Sequence, residues 1–157
     1  MRNRVMMSAA LVMLALGVSA CNPETPRSST GTSPAATSTG AGRVFFVRPK
    51  NGDTIKPMST FEFGNERVTV AAVPPGNLTP DQVRPGMTHY HLGVDTDCLP
   101  PGTIIPKADP WIHFGTGANT IEMSLPPGPH KLVLQSGDDL HRTISGLCET
   151  INVTVAP

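Results

Sequence analysis

From position 43 onward, apolar and polar residues alternate in short runs, and clusters of proline, glycine, asparagine and aspartate separate those runs. A period of two is the pattern of a strand with one face turned to a core. It predicts eight strands, over 43–47, 60–64, 67–72, 88–94, 112–115, 120–125, 131–136 and 149–155. The breaks carry turn chemistry: Pro49-Lys50-Asn51-Gly52, Pro74-Pro75-Gly76, Pro100-Pro101-Gly102, Pro126-Pro127-Gly128 and Ser136-Gly137-Asp138-Asp139. No segment holds a 3.6-residue apolar period, and 17 prolines oppose long helices. Seven or eight short strands in about 115 residues predict an immunoglobulin-like β-sandwich over 43–157.

Ahead of position 43 the pattern is of another kind. Arg2 and Arg4 precede an uncharged run, 5–18, too short for the ~20 apolar residues that span a bilayer. A basic start, a short apolar run and small residues before a cut describe a secretory signal. Val18-Ser19-Ala20-Cys21 resembles the bacterial lipobox. That resemblance implies cleavage after residue 20 and a diacylglycerol thioether on Cys21, with palmitate-type chains as the membrane anchor. Several acyl chains, each contributing about 0.8 kcal/mol per buried CH₂, anchor far more firmly than one. Asn22 is not the aspartate associated with inner-membrane retention. The expected location is therefore the cell envelope, on the periplasmic side of the outer membrane in a Gram-negative host. Residues 22–42 contain no aromatic residue and no Leu, Ile or Val. Such a stretch cannot bury enough apolar surface to offset its ordering entropy, so 21–42 is expected to be a lipidated, disordered tether.

Removing Arg2 and Arg4 from twelve basic residues leaves ten against twelve acidic ones, which gives no basic face for nucleic acid. Of three cysteines, Cys21 is assigned to lipid. Cys98 and Cys148 remain, and in an oxidising compartment a disulfide between them is the economical reading. Closing a loop of about 50 residues stabilises a fold by roughly 4 kcal/mol in the chain-entropy model. The spacing Cys98…Trp111…Cys148 is similar to that of antibody domains, but Cys98 sits in a turn after three or four strands, so the sandwich rests on strand count instead.

All five histidines fall between positions 89 and 141. In 88–95, Tyr90, Leu92 and Val94 share the core-facing parity; His89, His91 and Asp95 share the other, and Met87 joins them if the strand starts early. In 111–115, Ile112 and Phe114 face in and His113 faces out beside Trp111. Two histidines at i and i+2 have Cα atoms about 6.6 Å apart on one face, near enough to share an ion. A third ligand from His113 or His141 would complete a nitrogen set. Nitrogen donors suit copper(II), zinc or nickel better than calcium or magnesium, and Met87 would add a soft ligand for copper(I). His130 shares parity with Leu132 and Leu134 and reads as a structural residue bonded to a turn. Asp95 and Asp97 read as loop-capping groups rather than calcium ligands. No nucleophile elbow, His-Glu-x-x-His helix, Cys-x-x-Cys pair or P-loop is present, and Gly115-Thr116-Gly117 lacks a third glycine. A non-enzymatic protein is expected.

At these residues the chain resembles a bacterial domain of unknown function, family 4399 (DUF4399). The likeness lies in Val44-Phe45-Phe46-Val47-Arg48-Pro49-Lys50-Asn51-Gly52, His89-Tyr90-His91-Leu92-Gly93-Val94-Asp95, His113-Phe114-Gly115, Thr120-Ile121-Glu122, Pro127-Gly128-Pro129-His130 and Gly137-Asp138-Asp139-Leu140-His141. The resemblance implies one sandwich domain with a shared histidine face and no stated activity. Tyr90 stands where the family has a middle histidine, and a later family histidine is missing near Ile144.

Together these readings describe a lipid-anchored envelope protein with a surface cluster of His89, His91, His113 and His141 for copper or zinc. The alternative is an interaction or scaffold module for an envelope protein or polymer. The anchor has a direct test. Cys21→Ser should abolish palmitate labelling and leave unprocessed precursor; labelling as strong as wild type would refute the assignment.

Overall fold

A computed structural model describes residues 41–157. The expected signal peptide (1–20), Cys21 and the expected tether up to residue 40 lie outside the described residues. The described chain forms a β-sandwich of nine strands and one short 3₁₀ turn, Pro80–Gln82. Strands β1 (Arg43–Arg48), β3 (Met58–Glu66) and β7 (Thr120–Ser124) form one antiparallel sheet in the order β1-β3-β7. The second sheet runs β2 (Thr54–Ile55), β9 (Thr143–Val155), β8 (Gly128–Gly137), β5 (Met87–Val94) and β4 (Thr69–Val70), with β6 (Trp111–His113) also paired to β5. The expected strands are all present. β2 was not foreseen: it has two residues and runs parallel to the end of β9. The 67–72 strand shrinks to Thr69–Val70 because Arg67 turns into the left-handed region (φ 55°), and Pro74-Pro75 ends the run.

The core between the sheets follows the alternation. Val44, Phe46, Phe61 and Phe63 from the three-stranded sheet meet Tyr90, Leu92, Leu132, Leu134, Ile151, Val153 and Val155 from the other. Phe63 is the hub: its ring lies 5.7 Å from Phe46, 5.5 Å from Tyr90 and 5.2 Å from Phe114, mostly edge to face. Such aromatic pairs add about 0.5–1.5 kcal/mol each beyond area burial. Tyr90 is fully buried here and its hydroxyl donates to Asn65 Oδ1 at 2.8 Å, so it faces inward.

The other face of the six-stranded sheet is the one that matters for chemistry. Over β5 it is not open to solvent, whereas Thr150, Asn152 and Thr154 at the far end of β9 stay exposed. The loop 95–110 folds back across it, and Ile105, Trp111 and Val133 form a second apolar cluster with Leu99 and Cys148. Three devices hold this cover down. Cys98 and Cys148 are joined by a disulfide that ties the loop to β9. The Gln135 side chain donates to Leu99 O (2.8 Å) and accepts from Leu99 N (2.9 Å), imitating a ladder pair. Finally, Gly102 N donates to Thr143 O, Thr143 N to Thr103 O and Ile105 N to His141 O, all at 2.9 Å. Leu147 and Ile151 of β9 point into the sandwich while Cys148 joins the outer cluster, so the disulfide lies outside the sandwich core.

Candidate metal centre

β5 is where the two layers meet. Every residue from Thr88 to Gly93 is buried, so both of its faces are covered. Parity places Tyr90 and Leu92 in the sandwich core, and His89 and His91 on the outer face under the loop. The expectation of a surface histidine pair is corrected here: His89 is 1% exposed and His91 is fully buried. Alternation reports which side a residue takes, and the 95–110 loop decides whether that side is wet.

β6 is hydrogen-bonded to β5, and His113 stands directly opposite His91. Neighbouring strands lie about 4.8 Å apart, so same-face side chains at paired positions touch. Gly115 makes room for the imidazole: a Cβ there would lie 2.5 Å from the His113 ring. His141 comes from the turn after β8, where it holds a left-handed backbone (φ 65°), a conformation uncommon for residues other than glycine. Asp138 supports that turn. Its carboxylate accepts from Leu140 N (2.8 Å), Arg142 N (2.9 Å) and Arg142 Nε (2.9 Å), and its carbonyl accepts from His141 N (2.7 Å). Gly137, paired to His89, lets the turn pack closely, since a Cβ there would meet the His141 backbone at 3.0 Å.

The result is a compact four-histidine cluster. Ring centroids of all six pairs lie between 4.6 and 5.5 Å. One nitrogen from each of His89, His91, His113 and His141 falls within 4.8 Å of the other three. Ligand nitrogens sharing one ion at ~2 Å bonds lie up to about 4 Å apart, so small side-chain rotations would close the set. His113 Nε2 and His141 Nε2 are already 2.9 Å apart.

The polar bookkeeping of the site points the same way. Both nitrogens of His89 and both of His91 are buried without a hydrogen-bond partner. A buried orphan polar group costs about 1–3 kcal/mol, and native structures hold few of them. Here four sit together, on two side chains of one strand face whose ring centroids lie 4.6 Å apart. Burial pushes the imidazoles well below their ordinary value, with mutual repulsion of the rings adding to it: His89 to about 3, His91 to about 2 and His141 to about 4. Burial also lowers His113. All four are neutral at pH 7, the form in which a ring nitrogen can ligate a metal. No cysteine or carboxylate belongs to the convergent group.

Other expected roles resolve by contact. Asp95 accepts from Lys131 N (3.0 Å) and pairs with His130 Nδ1 (2.9 Å), while His130 Nε2 meets Pro126 O (2.9 Å). Asp97 pairs with Lys131. Asp95 and His130 thus fill the loop-capping and turn-bonding roles read from the sequence, whereas Asp97 meets only a side chain. Met87 heads β5, half-buried and opposite Thr69. The supporting groups were not foreseen: Asp138, Gly115, and the buried Asp139, whose carboxylate takes the Arg84 guanidinium at 2.7 and 2.9 Å and Arg84 N at 3.0 Å. Their sequence signals were the Gly137-Asp138-Asp139-Leu140-His141 and His113-Phe114-Gly115 runs.

Depressed imidazole pKa values have a consequence for stability. Unfolded histidines protonate near 6.5, and the folded ones resist doing so until far lower pH. The unfolded state therefore binds more protons as pH falls, and stability is lost from pH 6.5 downward. Metal-free protein should lose up to about 1.4 kcal/mol per pH unit for each of His89 and His91 below pH 6.5. Urea denaturation at pH 7.5 and 5.5, in chelator, measures this; equal stabilities would contradict the burial.

Neither the curated proteins nor the solved structures hold a match to this chain. A family model described as a domain of unknown function (DUF4399) matches residues 63–156. That span includes all four clustered histidines and both disulfide cysteines, but not the Val44–Gly52 opening. The chain belongs to the DUF4399 family.

Proposed function

We propose that this protein binds one transition-metal ion, copper or zinc, through His89, His91, His113 and His141, and does so as a lipid-anchored, non-enzymatic protein of the cell envelope. The observation that carries the reading is the set of four unpartnered nitrogens of His89 and His91, buried where the other two imidazoles converge. Each neutral imidazole carries one lone pair and one N–H, so an ion would take one nitrogen of each ring, in His89 and His91 through a lone pair that no hydrogen bond uses. A donor set of neutral imidazoles suits copper(II) and zinc; calcium and magnesium require oxygen ligands. Four protein ligands would also fill a tetrahedral coordination sphere, as in structural and storage sites rather than catalytic ones. An interaction module would leave the histidines dispersed, as polar surface or network residues, and it draws no support from their convergence. The envelope location and the anchor rest on the Cys21 sequence context.

The test is metal content and titration of protein prepared without a polyhistidine tag. Close to one ion per chain is expected. His91→Ala should weaken binding at least tenfold. His91→Leu should weaken it similarly while leaving metal-free stability unchanged or raised, because it deletes two orphan nitrogens and refills most of the space. Unchanged metal affinity in both variants would overturn the proposal.

A further inference from the structure

A cavity of about 370 Å³ opens beside the cluster, lined by Val73, Pro74, Asn77, Lys107, Asp139 and His141 among others. His141, one of the four candidate ligands, forms part of its wall. Lys107 is exposed at the same cavity and forms none of the ion pairs found among the described residues. The acid in the wall, Asp139, cannot neutralise it. Both Asp139 carboxylate oxygens are held by Arg84.

This arrangement sets a charge problem. A divalent ion on four neutral imidazoles keeps its full charge, and the Arg84–Asp139 pair contributes none. The unpaired lysine adds another positive charge at the mouth. A cavity at the small end of the range for small-molecule sites, with a free ammonium and no free carboxylate, suits a small anion.

Resting on the metal reading above, we infer that the cavity between Lys107 and His141 is an anion site, which takes a small oxyanion or carboxylate as counter-charge to the bound metal. Lys107 supplies the charged hydrogen-bond donor, and the anion needs no bond to the metal. Binding of the two is then reciprocal: each ligand strengthens the other by the same factor.

The test is an NMR titration of zinc-loaded and metal-free protein with sulfate and with acetate at constant ionic strength, alongside Lys107→Met and Lys107→Arg. Zinc content is measured separately on every sample. In the zinc-loaded wild type, saturable shifts should centre on Asn77, Lys107 and His141. Affinity should fall at least tenfold in Lys107→Met, be largely kept in Lys107→Arg, and be several-fold weaker without zinc. Zinc-loaded protein that binds both anions equally well with Lys107→Met, or shows no saturable shifts at the cavity, would overturn the anion site alone. Protein that takes up no zinc or copper would overturn the metal reading and the anion site with it.

Discussion

The architecture depends on a costly placement: two histidines buried side by side on a strand, with no protein group to bond to their nitrogens. At about 1–3 kcal/mol per orphan group, the cost is a substantial part of the 5–15 kcal/mol that a domain of this size has to spare. The fold sustains it with features that would otherwise have no evident purpose. A loop is crossed over a sheet face, tied by a disulfide, bonded through the Gln135 side chain and packed with its own apolar cluster. A loop-closing disulfide of this separation contributes on the order of 4 kcal/mol in the chain-entropy model, comparable with the cost it helps to offset. The cover buries His89 and His91, and it brings no hydrogen-bond partner to their nitrogens.

Much of this was legible from residues alone. Strict alternation in 88–94 placed Tyr90 on one side and His89 and His91 on the other, and the same rule turned His113 to the histidine side. The two cysteines left after Cys21 were read as partners, and they are. What alternation could not report was the cover. A run such as Asp97-Cys98-Leu99-Pro100-Pro101-Gly102 reads as an exposed turn, because turn residues signal a reversal of direction and carry no information about what the reversed chain lies upon. Ile104-Ile105 was the available hint: Ile105 is fully buried and its neighbour is 65% exposed. Strand β2 escaped because two residues have no periodicity, and Asp138 escaped because its work is done on backbone amides within its own turn.

The family match draws a useful boundary. It begins at Phe63, in the middle of β3, and runs to Ala156, so it takes in the whole six-stranded sheet except β2 but only part of the opposing one. The histidine cluster, its disulfide-tied cover and the Arg84–Asp139 pair all lie inside the match. The chemistry proposed for this chain is therefore housed in the part that the family model describes, and β1 serves to close the sandwich over the other side of the same sheet. Phe63 is the point where the two roles touch, since its ring packs against Tyr90, between the two buried histidines in sequence.

The central claim, that the four imidazoles converge on one ion, can be read from the ion's own surroundings. X-ray absorption of the copper- or zinc-loaded protein should give a first shell of nitrogen at about 2.0 Å with the outer-shell scattering of three to four imidazole rings and no sulfur. A first shell dominated by oxygen, with one imidazole or none, would mean that the metal binds elsewhere on the surface and that the buried cluster does not hold it.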